Sequence, residues 1–101
     1  MPGDPEAMSP LTGKQRRAVR AAGQRLAATL HVGHDGVTAA VVREADAQLA
    51  AHEIIKVRVS ENAPRDRHET AEELAEQAKA ELAQVLGRTI LLYRKRPEES
   101  P

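Results

Sequence analysis

Two glycines three positions apart, Gly33 and Gly36, frame the short loop Gly33-His34-Asp35-Gly36 between a β-prone stretch and a helical one. A strand-to-helix turn of this kind exposes backbone, and the N–H groups that open the following helix carry the positive end of its dipole. That arrangement suits an oxygen-rich anion such as a phosphate. Glycine pairs also make plain tight turns, so the loop alone does not choose between the two readings. The nucleotide-binding P-loop is excluded, because no Lys-Ser/Thr pair follows at the required spacing. Within the loop His34 can donate to a phosphate or a sugar, whereas Asp35 opposes a phosphate unless it points away.

Charge is the second chemical signal. Lys14, Arg16, Arg17, Arg20 and Arg25 follow one another with no acid among them, and Arg94-Lys95-Arg96 forms a further basic cluster. A merely solvated helix face normally mixes signs to gain i,i+4 pairs, so an unbroken run of cations tilts the reading toward phosphate contact. Lys56 and Arg58 on a strand, with Arg88 and Arg94 near the last strand, extend the patch. Acids gather elsewhere, at Glu69, Glu72, Glu73, Glu76 and Glu81. The balance of 15 Lys plus Arg against 15 Asp plus Glu therefore hides a polar molecule, and its neutrality does not exclude a polyanion partner.

Other chemistries find little support. His31, His34, His52 and His68 show neither His-x3-His nor His-Glu-x-x-His spacing and there is no Cys, so neither a metal site nor a catalytic site is expected. The one aromatic residue, Tyr93, argues against a base-stacking platform and reads as a strand-packing residue. With 101 residues the chain makes one domain, and zero cysteines exclude a disulfide scaffold. The sequence shows no secretory leader and no apolar run long enough for a bilayer, which gives the expectation of a soluble, cytoplasmic protein.

These residues need elements to hold them. Residues 1–10 and 97–101 are rich in proline and acid with no apolar period, and read as disordered tails around a domain of residues 11–96. Thr12 with Gln15 has capping-box spacing, and the recurrence of Leu11, Gln15, Ala18, Val19, Ala22 and Leu26 predicts a helix from about Gly13 to Ala28. At 100° per residue this stripe puts Arg16, Arg17 and Arg20 on the opposite, solvent side, with Lys14 and Arg25 flanking it. Replacing those three arginines should then leave thermal stability unchanged. A strand over Thr29–Val32 comes next, then a helix from Thr38 to about Ala51 with Val41, Val42, Ala45 and Leu49 as its stripe. Ile54–Val59 alternates with period two, Ile55, Val57 and Val59 on one face and Ile54, Lys56 and Arg58 on the other. Thr70 and Glu73 form a second capping box opening a third helix, and Thr89–Arg94 is a last, nearly continuous apolar strand. The order implies an α/β sandwich with a mixed sheet.

Four blocks then fall into register with a known family: Leu11-Thr12-Gly13-Lys14-Gln15-Arg16-Arg17, Val32-Gly33-His34-Asp35-Gly36-Val37-Thr38, His52-Glu53-Ile54-Ile55-Lys56-Val57, and Gln84-Val85-Leu86-Gly87-Arg88-Thr89-Ile90-Leu91-Leu92-Tyr93-Arg94. Over about Leu11 to Lys95 the chain resembles the YhbY family, stand-alone versions of the CRM (chloroplast RNA splicing and ribosome maturation) domain. The resemblance implies three helices and a mixed four-stranded sheet in the order α-β-α-β-α-β-β, similar to the C-terminal domain of translation initiation factor 3 with an added N-terminal helix. No glycine stops the third helix before Gly87, so propensity alone carries it to Leu86, whereas the resemblance makes Leu82–Leu86 a third strand, with Gly87-Arg88 as hairpin turn and the third helix ending near Lys79. The family usually has a glycine near that helix end, where Ala78-Lys79 stands here.

The resemblance also implies a bacterial RNA-binding protein associated with precursors of the large ribosomal subunit, with no enzymatic activity and no cofactor. Gly33, His34, Asp35 and Gly36 would contact RNA as a KH-like Gly-x-x-Gly loop, with the cations of the first helix beside them. Gly36→Asp should then weaken RNA binding with the fold largely intact. Together with the charge reading, the expected RNA-binding set is Gly33, His34, Asp35, Gly36, Lys14, Arg16, Arg17, Arg20, Lys56, Arg58, Arg88 and Arg94, on a monomer with no membrane partner. The alternative reading is a protein-interaction adaptor that docks a basic partner on the acidic third helix.

Overall fold

A computed structural model describes residues 11–95 of the chain. Both expected tails, and Arg96 with them, lie outside the described residues. The first element is α1, Gly13–Gly23, and its capping box forms as the sequence predicts: the Thr12 hydroxyl accepts the Gln15 N–H at 3.1 Å and the Thr12 N–H donates to Gln15 Oε1 at 2.9 Å. The helix stops well before Ala28. Gly23 is buried with the Leu91 side chain lying where a Cβ would be, and glycine weakens the helix just where the next N–H groups tighten onto Arg20, Ala22 and Gly23 carbonyls. Leu26 consequently lies beyond the helix and is 37% exposed.

Strand β1 (Leu30–Val32), helix α2 (Ala39–Ala51) and strand β2 (Ile54–Val59) follow, close to their predicted bounds. Thr38 caps α2, its hydroxyl accepting the Val41 N–H at 3.1 Å. Helix α3 (Arg67–Ala78) starts earlier than the expected box at Thr70. Asp66 is the cap, accepting the His68 and Glu69 N–H groups at 2.7 and 2.9 Å, and those bonds, that of Glu69 foremost, hold its carboxyl below the usual range. Thr70 is buried inside the helix and its hydroxyl donates to the Arg65 carbonyl. At the other end Lys79 closes α3 in the left-handed conformation, φ 57° and ψ 48°. Strands β3 (Glu81–Leu86) and β4 (Thr89–Tyr93) form the hairpin, with Gly87 at φ 59° in its turn.

The sheet order is β1-β2-β4-β3, with β1 parallel to β2 and the other pairs antiparallel. Period two then sorts the side chains. On one face Leu30, Val32, Ile55, Val57, Val59, Ile90 and Leu92 pack against Ala45 and Leu49 of α2 and Ala71, Leu74 and Ala78 of α3. On the other, Leu91 and Ala83 pack against Val19, with Ile54 and Tyr93 partly covered. The molecule thus has three layers: α1, the sheet, and the α2–α3 pair. The fold is the expected mixed four-stranded sheet with three helices in the order α-β-α-β-α-β-β.

Candidate nucleic-acid interface

Strand directions gather one end of the molecule. Because β1 and β2 run parallel and β4 runs against them, the β1–α2 loop, the end of β2 and the Gly87-Arg88 turn all meet there. Backbone bonds fasten the three together: Ser60 N–H donates to the Val32 carbonyl at 2.9 Å and Val59 N–H to the Arg88 carbonyl at 2.8 Å.

The Gly33–Gly36 loop is a closed turn, its ends joined by the Gly36 N–H donating to the Gly33 carbonyl at 3.0 Å. The two glycines serve different purposes. Gly36 is buried at φ 74°, a conformation that strains any other residue, and a Cβ there would meet Pro64 Cγ at 3.0 Å, so that Pro64 would have to give way. This corrects the expectation that Gly36→Asp leaves the fold largely intact. Gly33 has no heavy atom within 4 Å of an added Cβ, so its backbone is open to approach. Between them His34 Nε2 lies 3.2 Å from Asp35 Oδ1, both side chains some three-quarters exposed.

The predicted cations divide. Arg58 and Arg88 are exposed at the loop end, and Lys56, half-buried, sits two residues behind Arg58 on the same sheet face. Among the described residues no carboxylate pairs with any of the three, whereas Arg65 pairs with Glu73 and Arg94 with Asp46. On α1, Lys14 and Arg17 are exposed and Arg20 is half-buried. Arg16 departs from its expected solvent position: its guanidinium donates to the Leu82 and Ala83 carbonyls at 2.9 and 3.1 Å. The register of β3 shifts between Leu82 and Gln84, a bulge that turns these carbonyls away from β4 and toward the helix. Arg94 lies at the opposite end of β4 from the loop, where it donates to Asp46 Oδ1, the Asp46 carbonyl and the Ala78 carbonyl at 2.8 to 3.0 Å. Both arginines are engaged in holding elements together.

Helix α1 is also set differently from the expectation that its cations stand beside the loop. Gln15, Ala18 and Val19 border Ile54 and Tyr93, the pair at the end of the sheet away from the loop, and Ala22 and Leu26 border His52 and Glu53. At 100° per residue Arg16 and Arg20 fall on the opposite flank of the helix from Gln15, Ala18 and Ala22. The acids Glu69, Glu72 and Glu76 are exposed on α3, on the other side of the sheet. Among the described residues no group of His, Asp or Glu is arranged to hold a metal ion, and no helix is long and apolar enough to cross a membrane.

Comparison with known proteins covers nearly all of the described chain. The CRS1 / YhbY (CRM) domain profile matches residues 11–94. The chain is 36% identical over 88 residues to the "Probable RNA-binding protein YqeI" of Bacillus subtilis, covering 87% of this chain and 92% of that one. It is 34% identical over 88 residues to the "Probable RNA-binding protein PA4753" of Pseudomonas aeruginosa, covering 87% and 85%. The solution structure of SAV1595 from Staphylococcus aureus, called there "a putative RNA binding protein", superposes with a TM-score of 0.76 at 36% identity, covering 89% of this chain and 94% of that one.

Proposed function

The chain belongs to the CRS1/YhbY (CRM) domain family, and on that premise we propose that it is an RNA-binding protein whose loop end holds RNA backbone. One observation carries the reading. An open glycine, Gly33, begins a closed turn that leads into α2, and Arg58 and Arg88, free of carboxylate partners among the described residues, are fixed at the same end. Helix dipole, exposed backbone and two guanidinium groups together favour phosphate oxygens. The names of the relatives point the same way. We further propose the finer role: a monomeric, non-enzymatic cytoplasmic protein bound to ribosomal RNA in precursors of the large ribosomal subunit.

Gly33→Asp tests the loop, since it adds a negative charge at a position with room for the side chain. RNA affinity should fall by about tenfold with an unchanged melting temperature; equal affinity in a filter-binding assay would remove the loop from the interface. For the finer role, the tagged protein should sediment with large-subunit precursors and dissociate at high salt. Co-sedimentation only with translating ribosomes would overturn it, and so would absence from particles at low salt.

A further inference from the structure

Helix α1 covers only part of its side of the sheet. It lies over Ile54, Leu91, Tyr93 and Ala83, which leaves the row nearer the loop uncovered. The register defines that row without ambiguity: His31 stands beside Arg58, Arg58 beside Thr89, and Thr89 beside Leu86, one residue from each of the four strands. All four belong to the α1 side, because their strand neighbours Leu30, Val32, Val57, Val59, Ile90 and Val85 pack on the other. His31, Arg58 and Leu86 are exposed, and Leu86 at 64% is the most exposed large hydrophobic side chain among the described residues. Thr89 spends its hydroxyl within the hairpin, donating to the Leu86 carbonyl at 2.8 Å. Lys56 stands one step behind Arg58 on the same face of β2.

We propose that this strip, His31–Arg58–Thr89–Leu86 with Lys56 behind it, is a binding track for an unpaired RNA segment that continues from the Gly33–Gly36 loop. The inference rests on the RNA-binding reading and adds the class of RNA. Its charge is complementary to phosphate and it is continuous with the loop, since His31 of β1 is two residues before Gly33, where the loop begins. A duplex presents phosphates and sugars outward with its base faces covered, so an exposed leucine in the row would gain nothing from it. An unpaired base offers its face, and an aliphatic side chain beside a guanidinium plane is a surface on which it can lie. With Tyr93 partly covered by α1, the strip does with Arg58 and Leu86 what other single-strand binders do with aromatic rings.

The full chain would be titrated with a short unstructured RNA oligonucleotide and with an RNA duplex of equal length. Leu86→Ser should weaken single-strand binding by about fivefold and leave duplex binding and the melting temperature unchanged. Arg58→Lys, which keeps the charge and loses the plane, should also weaken the single strand more than the duplex. In the wild-type protein, the single strand should shift the amide resonances of His31, Arg58 and Leu86 as well as those of the loop. RNA binding that is indifferent to Leu86→Ser, or shifts confined to residues 33–36, would overturn the track while leaving the loop reading standing. A wild-type chain that binds neither RNA would overturn both.

Discussion

Lys79 illustrates what a single residue settles. It closes α3 at φ 57°, ψ 48°, a conformation in which a Cβ crowds the neighbouring carbonyl and which glycine adopts at no such cost. Its N–H still reaches the Glu76 carbonyl at 3.2 Å, and the Ala80 N–H reaches Ala75 at 2.8 Å, so the reversal into β3 is complete despite the wrong residue type. The glycine that the family resemblance led one to expect near this helix end has its physical reason here. Lys79→Gly should therefore raise stability by about 0.5–1 kcal/mol, the relief of strain exceeding the added freedom of the unfolded chain. The check is the denaturant midpoint at constant m-value; an unchanged or lower midpoint would mean that the lysine stem contributes packing that offsets the strain. Gly33 and Gly36 make the complementary point, for the sequence presents them as a matched pair. Structurally, Gly36 is favoured by its φ, with Pro64 close by, while Gly33 has open space around it.

At the scale of elements, what the sequence revealed was whatever rests on local period. Ile54–Val59 alternates cleanly and is a strand over that same span, and Thr38 with its downstream stripe gives α2. Failures came where a local signal had a rival or a distant partner. Thr70-x-x-Glu73 has capping-box spacing, but Asp66-x-x-Glu69 has a comparable one four residues earlier, and Thr70 is needed in the core. Strand β3 became legible only through the family blocks, because its apolar residues follow helical as readily as alternating period across the bulge. Arg16 could not be placed from the helix alone: its partners, the Leu82 and Ala83 carbonyls, are 66 and 67 residues away in the chain. A direct comparison follows from this placement. Arg16→Gln should cost roughly 1–2 kcal/mol of stability, since it leaves two carbonyls with a poorer donor at a partly buried site. Arg17→Gln, on the exposed side, should leave the melting temperature unchanged. If Arg17 meets phosphate, the same change should flatten the slope of log K against log salt by about 0.7. Equal melting temperatures for the two variants would return Arg16 to the solvent face where the helical wheel put it.

Taken whole, the molecule keeps the arginines that hold it together apart from those that the proposed function assigns to RNA. The loop end carries Gly33, Arg58 and Arg88 with no carboxylate partner for either arginine among the described residues. The other end of β4 carries Arg94, whose guanidinium ties the strand to Asp46 of α2 and to the last turn of α3 through the Ala78 carbonyl. That carbonyl is one that the helix itself leaves unsatisfied, so Arg94 completes the α3 terminus as well as the junction of three elements. Thr89, next to Arg88, and Arg94 are five positions apart on an extended strand, about 17 Å. At that separation, with no shared partners, substitutions act independently to within a few tenths of a kcal/mol. Arg94→Ala should thus lower stability by about 1–3 kcal/mol, yet leave the RNA affinity of the folded protein unchanged when measured well below its melting temperature. Arg88→Gln should do the reverse, lowering affinity and salt sensitivity while the melting temperature holds. The double variant should show both effects in full. If Arg94→Ala lowered affinity at temperatures where the protein is wholly folded, the two ends would be energetically coupled, and Arg94 would join the proposed RNA interface.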